Sequence, residues 1–151
     1  MQIRQVMKSQ PASIPPGAGL DHAYRLMRRL HLRHLPVMKN DKLLGIVSMG
    51  DLLRAAAPPD ERLPVDKPVS SVMSRGVCAC TGDSDTGDVA SLMLQKGIGC
   101  MPVLFNGELV GMVTARELMQ ALVAVEDRDR RRLILPPKAG KGSLPGASRN
   151  N

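Results

Sequence analysis

Two spacings of apolar residues alternate along the 151-residue chain and predict alternating helices and strands. Helical spacing occurs twice, at Ala23, Leu26, Met27 and Leu30 and again at Val89, Leu92 and Met93. Each set predicts an amphipathic helix. Gly97 predicts the end of the second helix, because glycine favours the left-handed conformation found at helix C-termini. Short segments near residues 12–14 and 78–80 precede the helices and are expected to form brief first strands.

One β-hairpin is predicted after each of these helices. The strands are nearly continuous apolar runs, LPVMK and KLLGIV in the first hairpin and MPVLF and ELVGMV in the second. The first two runs are joined by Asn40-Asp41. The second two are joined by Asn106-Gly107, a dipeptide that suits a type I′ turn.

A closing helix is predicted after Ser48 and another after Thr114. The first is expected to stop at Pro58-Pro59, because proline cannot continue a helix. The second carries one apolar face, formed by Leu118, Met119, Leu122 and Val125.

An offset of 66 positions aligns residues 6–53 with residues 72–119 without a gap. Eleven of the 48 aligned pairs are identical, and others are conservative, such as Ser48 with Thr114 and Asp51 with Glu117. The chain is therefore predicted to hold two copies of one unit. The expected division is repeat 1 at 1–57, a proline-rich linker at 58–68, repeat 2 at 69–125, and a charged extension with a disordered tail at 126–151.

The composition limits the class of protein. Apolar residues make up 43% of the chain and charged residues 23%, a balance typical of a folded globular protein. No apolar run approaches the roughly 18 residues that a membrane helix requires, and the start lacks a signal-peptide pattern. We therefore expect a cytoplasmic protein without a membrane partner.

The net charge of +7 is concentrated near the C-terminal end. Residues 126–151 hold seven basic and three acidic residues, which gives +4 of the total. The folded part is only weakly basic, so nucleic acid is not the expected main partner. The motif EDRDRRR and the basic tail after it keep nucleic-acid binding open as a third hypothesis.

A hydroxyl followed three residues later by an acid begins both closing helices, in GIVSMGD (45–51) and GMVTARE (111–117). One interpretation is a helix capping box, in which these side chains satisfy backbone groups. The other is a nucleotide site, in which free amides and the hydroxyl bind phosphate and the acid accepts from ribose hydroxyls. Gly45 and Gly111 would then leave room for a flat base.

RHLPV and IGCMPV accompany the starts of the hairpins, GIVSMGDLL and GMVTARELM follow them, and VM stands near both starts. This doubled pattern resembles a tandem pair of CBS domains (cystathionine-β-synthase domains). The resemblance implies an α+β fold of two βαββα repeats, packed sheet to sheet with pseudo-two-fold symmetry. It also implies a homodimer, and a cleft that binds AMP, ADP, ATP or S-adenosylmethionine to regulate an unidentified protein, with no cofactor required.

The resemblance assigns candidate ligand-binding residues position by position. Ser48 and Thr114 match the family's phosphate-contacting hydroxyl, and Asp51 matches its ribose-binding acid. Glu117 departs from that Asp. Because the longer Glu reaches back to the helix start more easily, repeat 1 is expected to bind more tightly.

The remaining candidates lie around these turns. Arg116 stands where the family often has a phosphate-binding cation, and a solvated surface position is the alternative. The others match positions near the base pocket, and core packing is the open alternative for each: Ile14, Cys80, His34 and Cys100.

Other polar clusters suggest no further chemistry. A metal site is not expected from Cys78, Cys80, Cys100 and His34, because zinc usually needs wider cysteine spacing and a fourth ligand is not evident. No enzymatic activity is expected, because no nucleophile pairs with the histidines. Arg25, Arg28, Arg29 and Arg33 fit a solvated helix face, an acidic partner or a ligand's polyphosphate.

The leading hypothesis is a regulatory module that senses adenine nucleotides. The main competitor is a ligand-free scaffold whose duplicated fold serves only to dimerise.

Overall fold

The computed structural model describes residues 1–56, 63–64 and 66–129. Its elements are β1 (Lys8–Ser9), α1 (Leu20–Leu30), β2 (His34–Lys39), β3 (Lys42–Ser48), α2 (Met49–Ala55), β4 (Cys80–Thr81), α3 (Thr86–Lys96), β5 (Cys100–Phe105), β6 (Glu108–Thr114) and α4 (Ala115–Asp129). The mixture of helices and strands confirms the predicted α+β class. Pro58-Pro59 and the chain after Asp129, including the last three residues of EDRDRRR and the predicted tail, lie outside the described residues.

Both predicted hairpins are confirmed. β2 pairs antiparallel with β3 and β5 with β6, each with a register shift at the same position of the repeat. At the turns, φ is 50° and 61° for Asn40 and Asp41, and 49° and 84° for Asn106 and Gly107. Positive φ at both central residues is the mark of a type I′ turn, whose twist matches that of the strands.

α1 and α3 hold equivalent positions in the two repeats and end in the same way. His31 and Gly97 follow them in the left-handed conformation, with φ of 54° and 64°. The predicted stop at Gly97 is therefore confirmed. Each helix packs one face into the core of its repeat, through Leu20, Ala23 and Met27 in α1 and through Val89 and Met93 in α3.

The segment that leads into each repeat packs against the other repeat. β1, at the start of repeat 1, pairs with β6 of repeat 2, and Ser74, at the start of repeat 2, pairs with Ile46 of repeat 1. Ile3 and Val69 hold equivalent positions and are fully buried, Ile3 in the core of repeat 2 and Val69 in the core of repeat 1. The repeats have thus exchanged their leading segments, which we define as residues 1–10 and 67–76.

Gly45 and Gly111 lie where the exchanged leading segments cross the strands. A Cβ atom on Gly45 would stand 2.4 Å from the carbonyl oxygen of Ser74, and one on Gly111 would stand 2.6 Å from Sδ of Met7. The prediction that these glycines leave room for a base is wrong, because the chain itself fills that space. They permit close approach of one backbone to another.

The sheets of the two repeats face each other. β3 lies against β6, and Ile46, Cys100 and Met112 form a small buried cluster between the repeats. The predicted sheet-to-sheet packing is therefore observed. None of the helices within the described residues is long and apolar enough to cross a membrane.

Candidate functional site

The hydroxyl and the acid of each repeated turn bond to one another at the start of a helix. Oδ2 of Asp51 accepts from the backbone N–H and the hydroxyl of Ser48, both at 2.7 Å, and Oγ of Ser48 accepts from the N–H of Asp51 at 3.1 Å. In repeat 2, Oε2 of Glu117 accepts from the N–H of Thr114 at 2.9 Å and from its hydroxyl. Both acids therefore reach back to the helix start, as the capping interpretation predicts.

The second carboxylate oxygen of each acid meets a cation, but the two cations come from different places. Arg54, on the same helix, bonds to Oδ1 of Asp51. At the other turn, Nζ of Lys8 lies 3.3 Å from Oε1 of Glu117. Lys8 belongs to the exchanged leading segment, so this ion pair links the N-terminal part of the chain to α4.

Most backbone amides at these helix starts are already bonded. In α4 the N–H of Ala115 donates to the carbonyl of Gly99 at 3.2 Å, and that of Arg116 donates to Oγ1 of Thr114 at 3.2 Å. In α2 the N–H of Met49 donates to the carbonyl of Arg33 at 2.8 Å. The prediction of free amides for phosphate is therefore wrong at these positions, and side-chain cations are left as the available donors.

A cavity of about 370 Å³ lies between the repeats beside the second turn. It is bordered by the leading segment, by the loop between α1 and β2, and by the start of α4. Its charged lining consists of Lys8, Arg33 and Arg116 together with one acid, Glu117. An excess of positive charge around a cleft favours an anionic ligand.

The comparison with known families identifies the fold. A model of the CBS domain matches residues 3–58 and again residues 69–124. The chain belongs to the CBS-domain family. The resemblance expected from the repeated motifs is thereby confirmed.

Relatives of this CBS-domain pair include proteins of different lengths. An uncharacterized 33.4 kDa protein from the ribosomal RNA operon of Thermofilum pendens is 30% identical over 135 residues, covering 83% of this chain and 45% of that protein. The CBS-domain pair therefore spans less than half the length of that relative.

Two solved CBS structures share the fold of this chain. The CBS domain pair of protein MJ0100, in complex with 5′-methylthioadenosine and S-adenosyl-L-methionine, has a TM-score of 0.75 at 21% identity, covering 83% of this chain and 98% of that one. CBSX2 in complex with AMP has a TM-score of 0.73 at 23% identity, with the same coverage of both chains.

The CBS-domain pair brings some of the predicted site residues together and separates others. Four line the cavity, namely Thr114, Arg116, Glu117 and His34. Ser48 and Asp51 form the equivalent turn of repeat 1.

Three predicted base-pocket residues lie within the packing of the two repeats. Ile14 is buried, and its backbone bonds to β2 on both sides, at Pro36 and Met38. Cys80 lies in the short edge strand β4 with Sγ 3.8 Å from the carbonyl oxygen of Pro102, and Cys100 is buried between the sheets.

Sequence reasoning missed Lys8, Ser9 and Gln10, which line the cavity from the leading segment. Repeat alignment carried no signal for them, because Lys8 aligns with Ser74 and the exchange of segments is invisible in a linear pattern. Arg33 was noted only as part of a basic helix face. In the structure it follows α1 and borders the cavity.

The ionisation of the CBS cleft follows from burial and charge. Burial alone would raise the pKa of Glu117, but the Thr114 hydroxyl and the Lys8 ammonium outweigh it and hold the pKa below its ordinary value of 4.5. Burial, with help from Arg33, lowers the pKa of His34 even though Asp51 opposes the change. His34 is therefore neutral at neutral pH.

The thiols behave as small apolar groups. Burial raises the pKa of Cys80, and it raises that of Cys100 to about 12, so both stay protonated. Among residues 1–56, 63–64 and 66–129, no three His, Cys, Asp or Glu side chains are grouped so that they could hold a metal ion.

Removing the charge of Glu117 is expected to weaken the acid dependence of stability. A lowered folded-state pKa stabilises the fold above the ordinary pKa, and this contribution is lost as pH falls through the lower, folded-state pKa. The melting temperature of Glu117→Gln should therefore fall less than that of the unaltered chain between pH 7 and about pH 3. Glu108→Gln, at the exposed start of β6, the strand that leads into α4, is the control. Identical acid slopes in the unaltered chain and Glu117→Gln would contradict the expected role of the Lys8–Glu117 pair.

Proposed function

We propose that this CBS-domain pair is a regulatory module that binds an adenosine-containing ligand in the cleft between its repeats. The observation that carries the proposal is the cavity beside Thr114 and Glu117, which residues from both repeats enclose and three cations border. Proteins of the same fold are known in complex with AMP and with S-adenosyl-L-methionine. The module regulates through a second protein and has no catalysis of its own.

The groups in the cavity suit the parts of a nucleotide. Arg116 and Arg33 are exposed cations at its border and bind the phosphate, with the Thr114 hydroxyl beside them. The carboxylate of Glu117 accepts from ribose hydroxyls once the Lys8 ammonium leaves Oε1 and turns to the phosphate. His34, Pro36 and Ala12 offer a weakly polar wall for the base. The equivalent turn of repeat 1, with Ser48 and Asp51, forms the first site, and the cavity beside Glu117 forms the second.

The test is a dye-based thermal-shift screen with AMP, ADP, ATP and S-adenosylmethionine, followed by titration calorimetry. A ligand that binds only the folded state raises the melting temperature. At a hundredfold excess over Kd it adds about 2.7 kcal/mol to the free energy of unfolding. Arg116→Ala should lower the affinity for AMP by about tenfold, because a hydrogen bond to a charged group contributes roughly 1.5–3 kcal/mol. Arg29→Ala, at an exposed arginine that does not line the cavity, should not. No shift with any of the four compounds would refute the proposal.

A ligand-free dimerisation scaffold is the second candidate, and one observation favours it. The apolar face predicted on α4 is exposed at Met119, Leu122 and Val125, and Leu94 of α3 beside it is 84% exposed. Together they border an apolar groove of about 590 Å³. Exposed apolar patches of this kind usually mark an interaction site, and we assign this one to a homodimer.

The ligand screen, run on protein whose mass is checked by light scattering, separates the two candidates. Both predict twice the chain mass of 16.3 kDa. Only the sensing module predicts a thermal shift with an adenosine ligand, so a dimer without any shift favours the scaffold.

A further inference from the structure

An ion pair lies on the wall of the cavity between the repeats. Lys8 and Glu117 both line that cavity, with Nζ of Lys8 3.3 Å from Oε1 of Glu117. The two side chains differ in exposure, which is 57% for Lys8 and 5% for Glu117. The ammonium can therefore change its partner at the edge of the solvent, whereas the carboxylate stays where the start of α4 holds it.

The hydrogen bonds of Glu117 leave one carboxylate oxygen for a ligand. Oε2 accepts from the N–H and from the hydroxyl of Thr114. Each carboxylate oxygen has about two lone pairs, so these two bonds fill Oε2. The two hydroxyls of a ribose would then need both lone pairs of Oε1, and Lys8 occupies one of them. A ribose that binds Glu117 through both hydroxyls must therefore displace the ammonium.

The surroundings of Lys8 oppose that displacement. Its backbone pairs with Met112 in β6, so the ammonium remains near the cavity after it leaves Oε1. Glu117 is the one acid in the lining, and Arg33 and Arg116 border the same cavity. Within the described part of the chain, neither arginine forms a salt bridge. A freed ammonium would thus lose its carboxylate and stay beside two other cations, and an anion brought by the ligand removes this cost.

Repeat 1 has no cation at the position of Lys8. The offset of 66 residues places Ser74 there, and Asp51 pairs instead with Arg54 on its own helix. The leading segment therefore supplies the counter-charge at the second turn, whereas the helix itself supplies it at the first. The two proposed sites differ in what a ligand must displace.

We propose that Lys8 makes the second site selective for adenosine ligands that carry a 5′-phosphate. The ammonium occupies the ribose acceptor of Glu117 until a phosphate replaces that carboxylate as its partner. Adenosine and 5′-methylthioadenosine bring no anion to the cavity. S-adenosylmethionine brings a carboxylate, but its sulfonium and ammonium leave it with a net positive charge. These three compounds therefore bind this site more weakly than AMP. The selectivity rests on the proposed function and adds the class of ligand to it.

The test compares AMP with adenosine in Lys8→Met, which keeps an unbranched side chain and removes its charge. Loss of one charge-assisted hydrogen bond to the phosphate should lower the ratio of the AMP affinity to the adenosine affinity by about tenfold. The change should have two opposite parts. Adenosine should bind about threefold more tightly, because it no longer breaks a half-exposed ion pair, and AMP should bind about threefold more weakly.

The methyl signal of Met112 measures binding at the second site. Met112 lines the cavity and pairs with Lys8 across the strands. The full chain is prepared with isotope-labelled methionine methyl groups, and the signal is assigned by its loss in Met112→Leu. Titrations with AMP, adenosine, 5′-methylthioadenosine and S-adenosylmethionine then each give an affinity from the shift of this signal.

Three further variants separate selectivity from a general loss of binding. Lys8→Arg keeps the charge and should keep AMP tighter than adenosine. Arg116→Ala should weaken AMP without strengthening adenosine, because Glu117 pairs with Lys8 and not with Arg116. Lys42→Met, at an exposed lysine that does not line the cavity, is the matched control and should leave both affinities unchanged. Circular dichroism melting checks that every variant remains folded.

Weaker binding of both AMP and adenosine in Lys8→Met would indicate a structural role for Lys8 and overturn the selectivity. An unchanged ratio in Lys8→Met would overturn it as well, and so would equal affinities of AMP and S-adenosylmethionine in the unaltered chain. In each of these cases a ligand still binds in the cleft, and the proposed function stands. If none of the four compounds shifts the Met112 signal or raises the melting temperature, the proposed function fails and the selectivity fails with it.

Discussion

Gly45→Ala is expected to lower the free energy of unfolding by about 3 kcal/mol, near the upper end of the usual cost of overpacking a core. The added Cβ would meet the carbonyl oxygen of Ser74 at 2.4 Å, and backbone held in a bridge to Ile46 cannot easily move away. Relief requires the leading segment of residues 67–76 to shift off β3. At this chain length, each 1 kcal/mol corresponds to about 2–4 °C in melting temperature.

Two other glycine substitutions make the comparison specific. Gly111→Ala should cost about 1 kcal/mol, because its nearest neighbour is Sδ of Met7, a flexible side chain, although the carbonyl oxygen of Lys8 at 3.1 Å must also give way. Gly17→Ala should be nearly neutral, since no atom lies within 4 Å of its new Cβ. Thermal and urea unfolding rank the three variants. A Gly45→Ala protein as stable as Gly17→Ala would show that the leading segment is not held against β3.

Exchanging the two acids is expected to reverse the affinities of the two proposed nucleotide sites. Asp51→Glu should weaken the first site by about tenfold, the value of one hydrogen bond to a charged group. The longer side chain bonds fully to the helix start and withdraws from the ribose. Glu117→Asp should strengthen the second site for the converse reason. The cation beside each acid is consistent with tighter binding at the Asp51 site. Asp51 pairs with Arg54, an exposed side chain on the same helix, whereas Glu117, which pairs with Lys8, is only 5% exposed.

Titration calorimetry with AMP resolves the two sites as separate binding steps. Both exchanges keep an acid at the helix start, so thermal unfolding without ligand should change little and serves as the control for the cap. Equal affinities in Asp51→Glu, Glu117→Asp and the unaltered chain would refute the predicted difference between the sites.

Local structure could be predicted from the sequence because it depends on neighbours along the chain. Asn106-Gly107 indicated a type I′ turn, and Gly97 indicated a helix end, since both features follow from which residues tolerate positive φ. The match at an offset of 66 residues added the global statement that the same unit occurs twice. The capping interpretation of Ser48-x-x-Asp51 rested on the same short-range logic.

The contacts of the candidate site could not be predicted in the same way, because they join distant parts of the chain. Nothing near Lys8 indicates that it meets Glu117, 109 positions later. Gly45 and Gly111 were recognised as positions of close approach, but the sequence does not say whether a ligand or the protein's own backbone approaches. The Lys8–Glu117 contact and the approach of backbone to the two glycines both follow from pairing between each leading segment and a strand of the other repeat.

The exchange of leading segments also constrains how such a duplicated chain could have arisen. A single repeat standing alone would leave β3 or β6 without the segment that crosses its glycine, and its own segment would have no strand to pair with. In two identical single-repeat chains, the leading segment of each could pair with the strand of the other, as in domain-swapped dimers. Gene fusion of such an ancestor would retain every contact and make their formation independent of protein concentration.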